Sequence, residues 1–193
     1  EDDRIQTGKL AATLLWLTFM ETAGSDKMVG KQHWSHVMKI LGINSSPRQN
    51  GNSHYMMDLF MNEMKQFDHD IQVLDATRMN IKRCIGCGNC EKKGQCVFKD
   101  DFSQVFLPAV ISADIMVISS PVYFYAFPAD VKALIDRIQV LWSQKYILKT
   151  QSFENRERRG VLLAVAATSG RDLFAGMEQT ARYFFDAAGI EYT

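Results

Sequence analysis

The sequence is most easily narrowed by what it lacks. It has no excess charge of either sign, since acidic and basic residues number 22 each among 193 positions. Without a net field, neither nucleic acid nor an anionic membrane surface is an expected partner, and binding must come from local sites. The apolar run Leu10 to Met20, behind Lys9, reaches only about half the ~20 residues that a bilayer span needs. It reads at most as the middle of a secretory leader. Cysteine is confined to one place: all four lie between Cys84 and Cys96, whereas a secreted disulfide framework spreads them to tie distant segments together. That clustering favours a reducing, cytoplasmic setting and a local task in metal binding or redox chemistry. Two common nucleotide loops are missing as well. There is no G-x-x-x-x-G-K-[ST] and no G-x-G-x-x-G after a strand, which excludes a P-loop ATPase and a dinucleotide Rossmann site. Histidine is scarce. His33 and His36 fall in the first stretch, His54 opens a helix and His69 sits in a turn, so ordinary surface roles are expected for all four.

What is present begins at Met38, which directly precedes the first convincing strand. Residues 1–37 read as an appendage outside the fold, and 38–193 as one domain, because the length suits a single core. From Met38 short apolar runs alternate with longer amphipathic ones, the pattern of βαβ units on a doubly wound parallel sheet. Strands are predicted at Met38–Asn44, Ile71–Leu74, Ile115–Ser119 and Gly160–Thr168. Helices are predicted from near His54, from Asp100-Asp101 to about Ser112, from Val131 to Trp142, and around Phe174 to Phe184. Asp100 and Asp101 would supply the negative charge that helix starts favour. The wide stripe of Val131, Leu134, Ile135, Ile138, Leu141 and Trp142 could serve a subunit contact besides packing on the sheet. Ile190 to Thr193 reads as a strand cut short, with a last strand and helix predicted to be missing.

Ligands of such sheets sit outside the carboxyl ends of the strands, where a loop meets the free N–H groups of a helix start. The loop after the first strand runs from Ser45 to Ser53. Ser45, Ser46, Asn50, Asn52 and Ser53 can donate to phosphate oxygens, Gly51 lets the backbone approach, and Arg48 offers a guanidinium. The third strand leads into Ser119 to Pro128, which sets Tyr123, Phe124, Tyr125 and Phe127 at the same edge and can cover a flat ring. Thr168, Ser169 and Gly170 would reach the far side of the crevice, with Arg171 as a solvated neighbour.

Cys84, Cys87 and Cys90 recur every third residue and Cys96 follows, so three thiolates surround one turn that Gly86 and Gly88 ease. That array suits several corners of a cubane iron-sulfur cluster. It departs from the bacterial ferredoxin run, since Cys96 precedes Val97 and not proline. Tetrahedral zinc and unligated, redox-active thiols stay open as alternatives.

The segment GINSSPRQNGNS resembles the G-x-x-S-P-R-x-x-G-N-[ST] loop of the NAD(P)H-dependent FMN reductase and iron-sulfur flavoprotein group. The resemblance continues through CIGCGNC, GQCVFKDD and SSPVYFYAFPADVKALIDR, in that order. It implies a flavodoxin-like fold, the FMN phosphate in the Ser45–Ser53 loop, and the isoalloxazine against Pro121, Val122, Tyr123 and Phe124, with Thr168 to Gly170 opposite. It also implies a [4Fe-4S] cluster on Cys84, Cys87, Cys90 and Cys96, within a cysteine insertion at 82–98. NAD(P)H or ferredoxin would exchange electrons with a small-molecule or protein acceptor, in a homodimer or homotetramer. The flavin would be the reactive centre, so no catalytic side chain is expected. A cluster-free FMN or quinone reductase and a non-catalytic flavodoxin-like carrier are the alternatives.

Overall fold

The short apolar runs become five strands: β1 Lys39–Asn44, β2 Asp70–Asp75, β3 Ile115–Pro121, β4 Arg159–Val165 and β5 Glu191–Tyr192. The computed structural model describes residues 37–151, 153 and 156–193. The expectations for the leader-like run Leu10–Met20, His33 and His36 therefore lie outside the described residues. All pairings are parallel, in the order β2-β1-β3-β4-β5, with Ile40 flanked by Ile71 and Ile115. Parallel neighbours need crossovers, and the helices supply them: α1 Asn52–Met64, α2 Asn89–Lys93, α3 Leu107–Ser112, α4 Ala129–Arg137, α5 Gln139–Trp142 and α6 Ala175–Ala187.

Side chains alternate across a strand, so each strand feeds two cores. Ile40, Val117, Val161 and Leu163 meet Met57, Phe60, Met61 and Met64 of α1 on one face. Leu41, Ile43, Met116 and Ile118 meet Phe106, Leu134, Met177 and Phe184 on the other. Gly42 marks where α1 comes closest, since a Cβ there would lie 2.5 Å from Met61 Cε. Helices on both faces of a parallel sheet make this the expected doubly wound α/β fold, with its topological switch point between β1 and β3.

Three elements differ from expectation. β4 ends at Val165, not Thr168, because its last partner is Pro121, after which β3 turns away. The stripe from Val131 to Trp142 is two helices, broken at Ile138, and continues as a π-turn over Ser143–Ile147. The helix expected from Asp100-Asp101 starts as a π-turn at Phe102–Phe106, and neither carboxylate caps it. The run ending the chain does form a strand, with Glu191 and Tyr192 beside Arg159 and Gly160. Among the described residues no helix is long and apolar enough to cross a membrane.

Candidate functional site: a cleft at the switch point

The loop after β1 is fixed by its own short-range bonds. Ser46 Oγ accepts from Arg48 N–H at 3.2 Å, and Gly51 N–H donates to Arg48 O at 3.0 Å. Gln49 turns outward and donates to Asp75 at 3.1 Å. Burial raises the pKa of Asp75, but bonds from Thr77 and Gln49 and the charge of Arg78 outweigh it, leaving the group below the ordinary carboxylate value. Helix α1 begins at Asn52 and its N-cap, Gly51, has no side chain to satisfy the first N–H groups. Those donors stay available to an anion. A Cβ on Gly51 would sit 3.1 Å from Arg48 O and 3.3 Å from Arg48 Cβ, so the tight turn leaves little room for a larger residue.

Ser45 is in a different position from the rest of the loop. It is fully buried, and both its N–H and its hydroxyl donate to Ser119 O, at 3.1 and 2.9 Å. Ser119 Oγ in turn donates to Ser53 O at 2.7 Å. Ser45 thus ties β1 to β3 and its donors are spent. His54 is also buried, contrary to the surface role expected of it, because the first turn of α1 lies under the loop; its Nδ1 has no partner. His69 accepts from Met38 N–H at 3.4 Å and stacks on Phe67, closing the turn into β2.

After β3, Val122 N–H donates to Val165 O at 2.8 Å, and Tyr123 and Ala126 exchange two bonds of 3.0 Å. The result is a two-residue hairpin with Phe124 and Tyr125 at φ 50° and 63°. Asn-Gly is the usual pair there, so two aromatic residues in the left-handed region store strain on the order of 1 kcal/mol each. Phe124 is fully exposed at the tip. Tyr125 leans on the loop after β4 and on the start of α6: a Cβ on Gly170 would lie 2.7 Å from its hydroxyl, and one on Gly176 2.7 Å from its carbonyl oxygen.

These loops enclose one cleft of about 610 Å³. Ser46, Arg48, Asn50, Gly51, Asn52 and Ser53 line one end; Pro121, Val122 and Tyr123 line another side, with Val165, Ala166 and Ala167. Nine predicted residues therefore converge. Ser45, Phe124, Thr168, Ser169 and Gly170 do not line it: Ser45 is a strut, Phe124 points off the hairpin tip, and the early end of β4 moves Thr168–Gly170 beyond the wall. Val165 to Ala167 were missed, although a strand end next to the third loop was the available signal.

The four cysteines form no disulfide and border a separate pocket of about 90 Å³. Gly86 and Gly88 sit at φ 63° and 69°, the left-handed turn expected of them. Among the described residues no three His, Cys, Asp or Glu side chains are gathered closely enough to hold a metal ion. The base of this segment is closed by carboxylates. Asp101 accepts from Asn80 N–H at 2.7 Å; Asp100 accepts from Lys82 N–H at 2.9 Å and from Arg137 at 2.6 Å. Asp100 and Asp101 are thus loop clasps and not helix caps. Burial raises the pKa of Asp100, and the bonds from Arg137 and Lys82 more than reverse this, so it lies below the ordinary value.

Arg137, which borders the cysteine pocket, is a further residue that sequence reasoning overlooked. Its side chain is 1% exposed and donates to Lys82 O at 3.1 Å and to Cys96 Sγ at 3.2 Å. Burial pulls its pKa down, while bonds to Asp100 and Cys96 hold it above the ordinary arginine value. The available signal was a cation three residues after Leu134 and four before Leu141, on the apolar stripe itself.

Known proteins share stretches of this sequence and this fold. The chain is 35% identical over 101 residues to an iron-sulfur flavoprotein of Archaeoglobus fulgidus, covering 52% of this chain and 46% of that one. It is 28% identical over 147 residues to another of Methanocaldococcus jannaschii, covering 76% and 72%. The chain spans about half the length of the first curated relatives it matches. Among solved structures, an NAD(P)H:quinone oxidoreductase from Methanothermobacter marburgensis shares the fold, with TM-score 0.61, 18% identity and 81% of each chain covered. Residues 38–189 match the family model of NADPH-dependent FMN reductases, and the chain belongs to that family.

Proposed function

We propose that this chain binds FMN in the switch-point cleft and acts as an NAD(P)H-dependent oxidoreductase. One observation carries the reading: an anion-suited loop and an aromatic hairpin border the same 610 Å³ space, within the range of small-molecule sites. The N–H groups opening α1, the Ser46 hydroxyl and Arg48 would hold the phosphate. Backbone groups of Pro121 to Tyr123 would meet the polar edge of the ring. Val165, Ala166 and Ala167 would lie along the ring and keep water from it. FMN bound there supplies the redox chemistry, taking electrons as a pair or singly.

The reading extends to a [4Fe-4S] cluster on Cys84, Cys87, Cys90 and Cys96, within a 38–193 domain that carries 82–98 as its cysteine segment. Three features of the pocket fit such a group: four free thiols border it, Arg137 lines it, and the buried Nε–H of Arg137 has no partner. A cluster held there would supply one-electron exchange, which suits ferredoxin or a similar partner. Free thiols also favour a cytoplasmic setting. A groove of about 460 Å³ beside Trp142, Tyr146 and Tyr183 supports a homodimer or homotetramer.

Anaerobic purification followed by FMN titration tests the main claim. The expected result is one FMN per chain with quenched fluorescence and bleaching by NADPH or NADH. A protein without affinity for FMN sinks it. A second reading, the cluster-free reductase, is favoured by the absence of three convergent ligands among the described residues. Iron and sulfide assays on the same sample separate the two, and flavin that neither nicotinamide nucleotide reduces would point to a carrier.

A further inference from the structure

Tyr125 does not line the cleft, yet it joins the two loops that do. Its hairpin leads on from Pro121, Val122 and Tyr123 on one wall, and the loop after β4 leads on from Val165, Ala166 and Ala167 on the other. We infer that Gly170 and Gly176 are positioning residues for the ring end of the cleft: they seat Tyr125, and that seat sets the width of the slot into which a flat ring is admitted. The inference rests on the FMN reading.

Closeness, and not backbone conformation, calls for glycine at these two positions. Neither Gly170 nor Gly176 has the positive φ that favours glycine. Gly176 lies in the first turn of α6, where alanine is the better helix former. What both positions lack is room: a Cβ on Gly170 would lie 2.7 Å from the Tyr125 hydroxyl, and one on Gly176 2.7 Å from the Tyr125 carbonyl oxygen. The second contact is the firmer one. A hydroxyl at the end of a side chain can swing aside, whereas a backbone carbonyl moves only with its hairpin.

The hairpin has little other freedom. At its foot Val122 N–H donates to Val165 O at 2.8 Å, and Phe127, just past it, is buried in the same core as Met177, just past Gly176. Between these fixed ends Phe124 and Tyr125 hold φ values of 50° and 63°, a strain that persists only where the surroundings over-determine it. Tyr125 supplies that constraint at the tip, meeting the β4 loop through its hydroxyl and the start of α6 through its carbonyl. Tyr123 exchanges two bonds with Ala126 and so turns with the tip. A shift of the seat therefore moves Tyr123 relative to Val165, Ala166 and Ala167 and leaves the Ser46–Ser53 end of the cleft in place. The ring of a bound flavin feels such a shift, and its phosphate does not.

The test titrates the parent protein, G176A and Y125G with FMN and with riboflavin, followed by flavin fluorescence, with urea unfolding of the flavin-free proteins alongside. G176A improves the helix former and forces the Tyr125 carbonyl away from α6. It should weaken FMN and riboflavin by the same factor, about tenfold, the worth of one or two hydrogen bonds to the polar edge of the ring. Y125G removes the side chain that meets Gly170 and places glycine where φ is 63°, so both flavins should weaken equally and by less. Equal losses in G176A with a cooperative urea transition support the inference; if G176A does not fold, Y125G decides in the same way. Unchanged affinity for both flavins in the deciding variant overturns it. Unequal losses overturn it too, since a larger loss for FMN places the effect at the phosphate. Failure of both variants to fold also overturns it, by making the seat a packing contact of the fold. A parent protein that binds neither flavin overturns the FMN reading, and this inference with it.

Discussion

The cleft and the cysteine pocket are held in shape in opposite ways. The cleft is made of backbone leaving regular elements: β1 passes through a self-bonded loop into α1, and β3 turns back on itself as β4 ends. The cysteine pocket lies in a segment whose only regular element is the short helix α2, and it is closed by Asp100, Asp101 and Arg137. Where secondary structure shapes a site, side chains are free to serve a ligand; where it does not, charged side chains must hold the shape.

The largest expected effect follows from that dependence. Replacing Asp100 by alanine leaves the buried Arg137 charge unpaired and should cost on the order of 3 kcal/mol in a urea unfolding measurement. A loss below roughly 1 kcal/mol, the level of an exposed pair, would erase the contrast. At the cleft the corresponding change, R48A, should leave stability unaltered and weaken FMN about tenfold, the worth of one charge-assisted bond at an open site. Riboflavin, which has no phosphate, should bind R48A and the parent equally; parallel losses for both ligands would place Arg48 elsewhere than at the phosphate.

Acid should separate the two regions less steeply. Asp100 has a folded pKa below its unfolded one, so the stability it lends is complete above about pH 4 and is lost as pH falls through the lower folded value. D100N should therefore flatten that part of the stability profile, and an unchanged acid limb would contradict the assignment. The smallest effect concerns the hairpin. F124N places asparagine where φ is 50°, removes a side chain that is fully exposed, and should stabilise the fold by about 0.5–1 kcal/mol with FMN affinity intact.

Much of this could be read in the sequence, for identifiable reasons. The strands were legible because a sheet covered on both faces needs uninterrupted apolar runs such as Ile115 to Ile118, and the Ser46–Ser53 side of the cleft because the place of that loop after β1 is fixed by topology. Misreadings occurred where the decisive partner is far along the chain. Asp100 looks like a helix start until Lys82 and Arg137, 18 and 37 residues away, are seen to bind it. Ser45 looks like a phosphate donor until the backbone carbonyl of Ser119, 74 residues on, accepts its hydrogen bond. Thr168 and its neighbours lie past the wall because β4 can run only as far as β3 accompanies it.

The strand order also has a kinetic consequence. β1 lies inside the sheet between β2 and β3, and its pairing of Ile40 with Ile115 closes a loop that contains the whole cysteine segment. Such long-range parallel pairing is slow, because chain entropy is lost before the contacts that offset it are made. Arg137 comes from α4, after β3, so the contact of Cys96 with its hydrogen-bond donor spans 41 residues and is itself a long-range one. The cysteine pocket is therefore closed by contacts of the same long-range kind as the pairing of β1 with β3, and it shares their entropic cost.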